Sequence, residues 1–419
     1  MGNSSVSAGD RDSTCSVVIV GAGHAAAQAA RSLRANGFDG RLIMVGAEDW
    51  LPYDRPPLSK ERLTQDGPVD RLLLNPDTFY SSHKIELVLG SAATAIDRDA
   101  RHVTLANGER LSYDRLVLAT GSRVRRLPDS IAGAERALYL RSFAECAVIR
   151  ARLANARRVV VIGAGYIGLE VAASIRKTGA AVTVIEAADR ALARIASPHI
   201  SQLFEAAHRA WGVTILTNAK VKAIEPDAVL IEGHPPAPAD LVIAGIGGAA
   251  EDSLARGAGL LCDDGVLVDQ QGRSSDPAIF AIGDVAKPVV NGARLRLESV
   301  SAAVAQGKAV AAAIMGQPAP ADETPWFWSD QFDLKLQIAG VRGADDVAVV
   351  RRREDAPGLA VLHCRDNRLT CIEAVNDPRS FMMARRIIAD PDARIDLDIA
   401  CNGEIPFAEA FSAQARTAA

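Results

Sequence analysis

Two stretches of this 419-residue sequence carry residue types at a spacing that suits the gripping of a nucleotide pyrophosphate. The first, VVIVGAGHAA at 17–26, has Gly21 and Gly23, with Ala26 in the third slot. The second, VVVIGAGYIGLE at 159–170, has Gly163, Gly165 and Gly168. In a GxGxxG turn the missing side chains let backbone N–H groups approach a pyrophosphate at a helix N-terminus, where the helix dipole favours an anion. An acid about 20 residues further on can accept hydrogen bonds from ribose hydroxyls. Glu48, shortly after RLIMVG, and Glu186, closing AVTVIE, fill that role. A carboxylate at 186 suits the free 2′-hydroxyl of NAD and repels the 2′-phosphate of NADP, while Arg190 lies close enough downstream to blur the preference. Two grips in one chain imply two nucleotides.

Each grip needs an apolar strand before the turn, a helix after it and a second strand beyond, and both segments have them. The helices follow as AQAARSLRANG and as the run to Gly179. Such units make an α/β fold with parallel sheets. Three further segments go beyond a bare nucleotide fold. LPYDRPPLSK at 51–60 sets the stiff pair Pro56-Pro57 just before Ser59 and Lys60. LVLATGS at 116–122 is a strand meeting a tight turn at Thr120-Gly121. SSDPAIFAIGDV at 274–285 is a buried strand delivering Asp284 at its end, where a carboxylate could bind a polyol. Together these point to a flavoprotein reduced by a nicotinamide.

The bulk numbers agree with an enzyme of two or three domains. Hydrophobic residues make up 48% and charged residues 23%, enough for real cores. A net charge of −4 gives no reason to expect nucleic acid or an anionic membrane as partner. The longest apolar runs fall short of the roughly 20 residues that span a bilayer. The first residues, MGNSSVSAGDRDST, read as a disordered tail and no secretory signal; Met1-Gly2 is followed by Val6 where myristoylation wants Ser or Thr. Six scattered cysteines form no CxxC pair, which fits reduced thiols in a cytoplasmic protein, excludes a redox-active dithiol and gives no metal site.

With these motifs in view the chain resembles the FAD-dependent NADH:ferredoxin reductases of bacterial oxygenase systems, from Thr14 to about residue 405. The segments that carry the resemblance are VVIVGAGHA, PYDRPPLSK, LVLATGS, VVVIGAGYIGLE, IFAIGDV, RLESV and PWFWSDQFDLKLQIAG. It implies that the first grip holds FAD and the second NADH. Carried over position by position, the FAD contacts are Gly21, Gly23, His24, Ala25, Glu48, Arg55, Lys60, Ala93, Thr120, Gly121, Arg141, Gly283, Asp284, Val300 and Trp328. The carboxylate of Asp284 is expected on the ribityl chain and the Val300 backbone on the pyrimidine edge. The NAD contacts are Gly163, Gly165, Tyr166, Ile167, Gly168, Glu186, Gly245, Ile246 and Gly247. Two departures stand out: Ala47 occupies the place where relatives often carry the ribose acid, and GIGGAAED at 245–252 replaces the usual GIG-V-x-P-N.

The resemblance also implies the chemistry: a hydride passes from NADH to FAD, and single electrons go on to a [2Fe-2S] ferredoxin that feeds a Rieske oxygenase or a cytochrome P450. Lys60 and Glu170 are the implied catalytic pair, meeting beside flavin N5, with the acid keeping the lysine charged. Tyr166 either shields the nicotinamide site or packs as a buried tyrosine. Trp326, Phe327 and Trp328 either flank the flavin edge or fill a domain interface. Arg296, Lys335, Arg365, Arg368 and Arg379 are candidates for a basic docking patch.

The implied fold is glutathione-reductase-like: two Rossmann-like nucleotide-binding domains and a small C-terminal α+β domain. The expected layout is a tail at 1–13, an FAD-binding domain at 14–123 and 247–322, an NAD-binding domain at 124–246, and the last domain at 323–419. QPAPADETP at 317–325 reads as a linker. Oligomeric state, monomer or homodimer, is left open. Two other functions compete. An NADH oxidase or peroxidase usually places a cysteine near the flavin after the first helix, and none occurs between Cys15 and Cys146. A flavin-binding signalling protein like apoptosis-inducing factor would share the fold, but the sequence shows no targeting or nuclear-localisation segment.

Overall fold

The computed structural model describes residues 15–290, 292–321, 323–352 and 358–413. The tail expected at 1–13 lies outside the described residues. The chain forms two compact units, one running up to Asp54 and through Val69–Ser122 and Ala250–Ala321, the other comprising Arg55–Pro68, Arg123–Ala249 and Asp322–Ala419.

In the first unit, Ser16–Val20 is the middle strand of a five-stranded parallel sheet. The order is Ile279–Ala281, Arg115–Leu118, Ser16–Val20, Arg41–Val45, Ile85–Val88. Its strands read as continuous apolar runs because both faces are covered: Val17, Ile19, Leu42 and Met44 pack on one side, Val18, Val20, Ile43 and Val45 on the other. The helix His24–Ala35 lays a strip of alanines against the helix Val300–Ile314. Gly307 permits this approach, since a Cβ there would stand 3.0 Å from both Ala25 O and Ala29 N. A three-stranded antiparallel sheet, Ala93–Asp97, His102–Leu105 and Arg110–Ser112, completes the unit.

The second unit repeats the design. Arg158–Ile162 is the middle strand of another five-stranded parallel sheet, ordered Val213–Leu216, Ala181–Ile185, Arg158–Ile162, Leu241–Ala244, Leu138–Tyr139. The helix Tyr166–Arg176 follows the strand Arg158–Ile162, and the helix Pro198–Ala210 follows the strand Ala181–Ile185. The same unit holds a five-stranded antiparallel sheet, ordered Trp326–Gln331, Leu334–Gly340, Arg368–Val375, Leu359–Arg365, Val347–Arg352. The helix Pro378–Ala389 closes one face of it through Phe381 and Ala384, which join Leu362 and Ile372 in a core. This is the small α+β portion expected at the C-terminal end. The stretch 317–325 has neither helix nor strand in its described residues. Among the described residues no helix is long and apolar enough to cross a membrane.

Candidate active site

The first grip is held open by backbone geometry. Gly21 has φ +125°, and a Cβ on it would lie 2.1 Å from Ala119 O, so any side chain would collide with the neighbouring strand end. Its N–H donates to Val45 O at 2.8 Å, drawing the turn against the sheet. Gly23 caps the helix beginning at His24 and offers no side chain to the first-turn N–H groups. The segment Tyr53-Asp54 braces this turn twice: the Tyr53 hydroxyl donates to Glu48 Oε2 at 2.7 Å, and His24 Nε2 lies 2.9 Å from Asp54 Oδ1. Thr120 Oγ1 donates to Glu251 O, and Gly121 O accepts from Glu251 N–H. Gly283 N–H donates to Gln306 Oε1, with Ala25 Cβ 3.0 Å from where its own Cβ would stand. Ser122 Oγ donates to Asp284 Oδ2 at 3.0 Å. Ala93 starts an edge strand, and Val300 starts the helix capped by Ser299.

In the second unit, a Cβ on Gly163 (φ +103°) would lie 2.4 Å from Gly245 O, and one on Gly168 2.1 Å from Gly163 O. Gly165 caps the helix Tyr166–Arg176, again without a side-chain cap. Glu186 accepts from Ala164 N–H at 2.6 Å and from Ala188 N–H at 2.7 Å, so the acid is tied to the glycine turn. The Arg190 guanidinium donates to Ala193 O, Ala196 O and Ser201 Oγ, which ties it to its own loop and to the helix Pro198–Ala210. Ile167 is half-buried, and Ile246 and Gly247 follow the strand Leu241–Ala244. Tyr166 meets Phe327 with ring centroids 5.8 Å apart.

The helix of the second grip also carries a buried charge. Pro56–Ser59 forms a short 3-10 turn that presents Ser59 and Lys60 to Glu170. Lys60 Nζ stands 2.9 Å from Glu170 Oε2, and it also donates to Pro56 O. Ser59 Oγ donates to the same oxygen at 2.5 Å, and Ser329 Oγ to Oε1 at 2.6 Å. The carboxylate is 3% exposed and the lysine side chain 18%. A buried carboxylate costs several kcal/mol unless its lone pairs are filled, and here both oxygens are. The pair stated from sequence is therefore formed. From sequence, Ser59 is marked only as the neighbour of Lys60, and Ser329 and, behind it, Gln331 are given no role. The alternation of PWFWSDQF would have placed Ser329 and Gln331 on one strand face with Phe327.

Other expected residues fall nearby within the second unit. Arg55 Nη1 donates to Arg141 O at 2.8 Å, and Arg141 N–H to Glu145 Oε2. Trp328 is half-buried, 5.4 Å from Trp326, which in turn meets Phe381 and lies under Arg385. Of the basic candidates, Arg365 is ion-paired to Asp346 and Lys335 lies 3.9 Å from Asp330. In the first unit, Arg296 is 9% exposed and paired with Asp264 and Glu298.

Cys146, Cys262, Cys364, Cys371 and Cys401 are free thiols. Burial pushes the Cys146 thiol up, that of Cys364 to about 12, and that of Cys371 well above its ordinary value. A nucleophilic or redox thiol needs the opposite shift. No cluster of His, Cys, Asp and Glu among the described residues could hold a metal.

Both cradles fit a dinucleotide. Each has a backbone turn that a Cβ would fill, an uncapped helix N-terminus and a nearby carboxylate held in place. Comparison with known proteins agrees. The family model for pyridine nucleotide-disulphide oxidoreductases matches residues 15–307, and a reductase C-terminal model matches 326–410. Rhodocoxin reductase of Rhodococcus erythropolis is 42% identical over 381 residues, 89% of each chain. Putidaredoxin reductase of Pseudomonas putida is 39% identical over 386 residues, 89% of this chain and 92% of that one. Among solved structures, the covalent putidaredoxin reductase–putidaredoxin complex matches with TM-score 0.91 and 37% identity, covering 95% of this chain and 98% of that one. The ferredoxin reductase for the CYP199A2 system from Rhodopseudomonas palustris matches with TM-score 0.90 and 37% identity, covering 94% and 99%. The fold is thus the glutathione-reductase-like one expected from sequence, and the chain belongs to the pyridine nucleotide-disulphide oxidoreductase family, as an FAD-dependent, NAD-linked oxidoreductase of the ferredoxin-reductase type.

Proposed function

We propose that this protein draws electrons from NADH and delivers them singly to a [2Fe-2S] ferredoxin of an oxygenase or P450 system, in the cytoplasm. Residues 14–123 and 247–322 would bind FAD, 124–246 NADH, and 323–419 would complete the site. The turn at Gly21–Gly23, with Glu48, Asp284 and Arg55, would hold FAD; that at Gly163–Gly168, with Glu186, would hold NADH. FAD when bound supplies the conversion between a hydride donor and a one-electron acceptor.

The observation that carries this reading is the buried pair Lys60–Glu170. A lysine ammonium held by a carboxylate in a poorly solvated place gives a fixed positive charge, worth more there than in water and needing no reorganisation when negative charge develops beside it. Selectivity for NADH rests on Glu186, whose charge repels a 2′-phosphate. Arg190 cannot readily offset that repulsion, because two carbonyls of its own loop and the Ser201 hydroxyl of the following helix engage its guanidinium. The acceptor is assigned from the relatives, whose names include rhodocoxin and putidaredoxin reductases. The buried, high-pKa thiols speak against a cysteine-based oxidase or peroxidase.

The test is a steady-state assay of cytochrome c reduction with a panel of purified ferredoxins and with NADH or NADPH. Rapid reduction only when a ferredoxin is present, and with NADH preferred, is the expected result. Hydrogen peroxide as the main product without any carrier would contradict it.

A further inference from the structure

A row of buried polar groups runs behind Glu170. Ser329 Oγ, which touches Glu170 Oε1, accepts from Gln331 Nε2 at 3.0 Å. Gln331 Oε1 lies 2.8 Å from His208 Nε2 on the helix Pro198–Ala210. Ser329, Gln331 and His208 are each 1% exposed or less. His208 Nδ1 is buried without a hydrogen-bond partner. The far end is boxed by aromatics: the His208 ring meets Phe332 edge-on at 4.9 Å, and Phe332 stacks on Trp211 at 4.7 Å.

The direction of donation in this row follows from its carboxylate end. A carboxylate only accepts, so the single Ser329 hydroxyl proton points at Glu170. Ser329 Oγ must then accept from Gln331, whose amide nitrogen is the donor. That leaves the Gln331 carbonyl facing His208, which donates through Nε2–H and carries a bare Nδ1. Turning the Gln331 amide over would take the Ser329 proton away from Glu170 and set two acceptors against each other. Burial lowers the His208 pKa to about 4, in keeping with a neutral ring.

On this basis, and resting on the function proposed above, we infer that Ser329, Gln331 and His208 are positioning residues for the Lys60–Glu170 pair. They form a one-way chain of donors, each polarising the next, that ends on the carboxylate. Two members come from the C-terminal sheet, beyond the segment matched by the nucleotide-binding family model, which ends at residue 307. The C-terminal sheet thereby supplies a donor to the acid that faces Lys60. The strand Trp326–Gln331 also ties the pair to Trp328, the immediate neighbour of Ser329.

The experiment has two arms on the full-length, FAD-loaded chain. In anaerobic single-turnover mixing, Ser329→Ala should slow flavin bleaching by NADH at least threefold with the NADH Kd unchanged, and Ser329→Thr, which keeps the hydroxyl, should restore the rate. In histidine-selective 15N NMR, with His208→Gln for assignment, His208 should show a neutral Nε2-protonated ring from pH 5 to 8. That Nε2 proton signal should shift in Ser329→Ala and stay in Ser329→Thr. Equal rates for wild type and Ser329→Ala, or a His208 ring protonated at Nδ1 or titrating near pH 6.5, would overturn the inference. If Lys60→Met slows bleaching while Ser329→Ala does not, the chain alone fails. If wild type is not bleached by NADH at all, the proposed function fails, and the NMR arm still decides the chain.

Discussion

The two glycine turns are nearly the same device put to different ends. Seven positions beyond the first glycine, the first helix carries Gln28 and the second carries Glu170. Gln28 makes a local hydrogen bond to Ser32, and its Cβ lies close to where a side chain on Gly307 would begin. Glu170 instead takes three donors, among them Lys60. The third slot differs in the same sense: Ala26 is tolerated in the first turn, whereas Gly168 sits where a Cβ would meet Gly163 O at 2.1 Å. The acids differ too, Glu48 being held by a tyrosine hydroxyl and Glu186 by two backbone N–H groups of its own turn. The first turn is packed helix to helix through alanine and glycine. The second has turned one helix position over to a charge.

Glycine substitutions should separate the two most strongly. Gly21→Ala should cost at least about 2 kcal/mol through backbone collision and yield protein without flavin, seen as loss of yellow absorbance. Gly168→Ala should leave a yellow protein that NADH bleaches at least a hundredfold more slowly. Ala26→Gly, at the slot matching Gly168, should keep both properties and cost only about 1 kcal/mol of helix stability. A colourless Gly168→Ala protein would break the distinction.

Acid should loosen the fold next. His208 ordinarily titrates at 6.5 and is lowered to about 4 by burial, so below pH 6.5 the unfolded chain binds a proton that the folded chain refuses. Its contribution is therefore full above that pH and is lost as pH falls, about 2 kcal/mol between pH 7 and pH 5. Denaturant unfolding at both pH values should show this loss in wild type and a loss smaller by that amount in His208→Gln.

The mildest contrast concerns the acids. Glu186→Gln should narrow the NADH-over-NADPH preference in kcat/KM about tenfold, the equivalent of about 1.4 kcal/mol. Glu48→Gln should leave that ratio unchanged.

Much of this is legible in the sequence. Strand–glycine–helix segments announce parallel sheets, and the fold class follows from two of them plus an alternating C-terminal stretch. The pair Lys60–Glu170 came only through the family resemblance, since nothing local to either residue marks the other. The motif PYDRPPLSK hid a division: Tyr53 and Asp54 brace the first turn, whereas Ser59 and Lys60 serve Glu170 in the other unit. No composition shift marks that boundary. His208 gave no signal either, because one histidine on an amphipathic helix looks like any other until the strand carrying Gln331 is folded against it.

The central claim is that Lys60, held by Glu170, is what makes the bound flavin answer to NADH. Anaerobic stopped-flow mixing of FAD-loaded Lys60→Met with saturating NADH tests it directly. The account predicts bleaching at least tenfold slower than wild type at equal flavin content; an unchanged rate would contradict it.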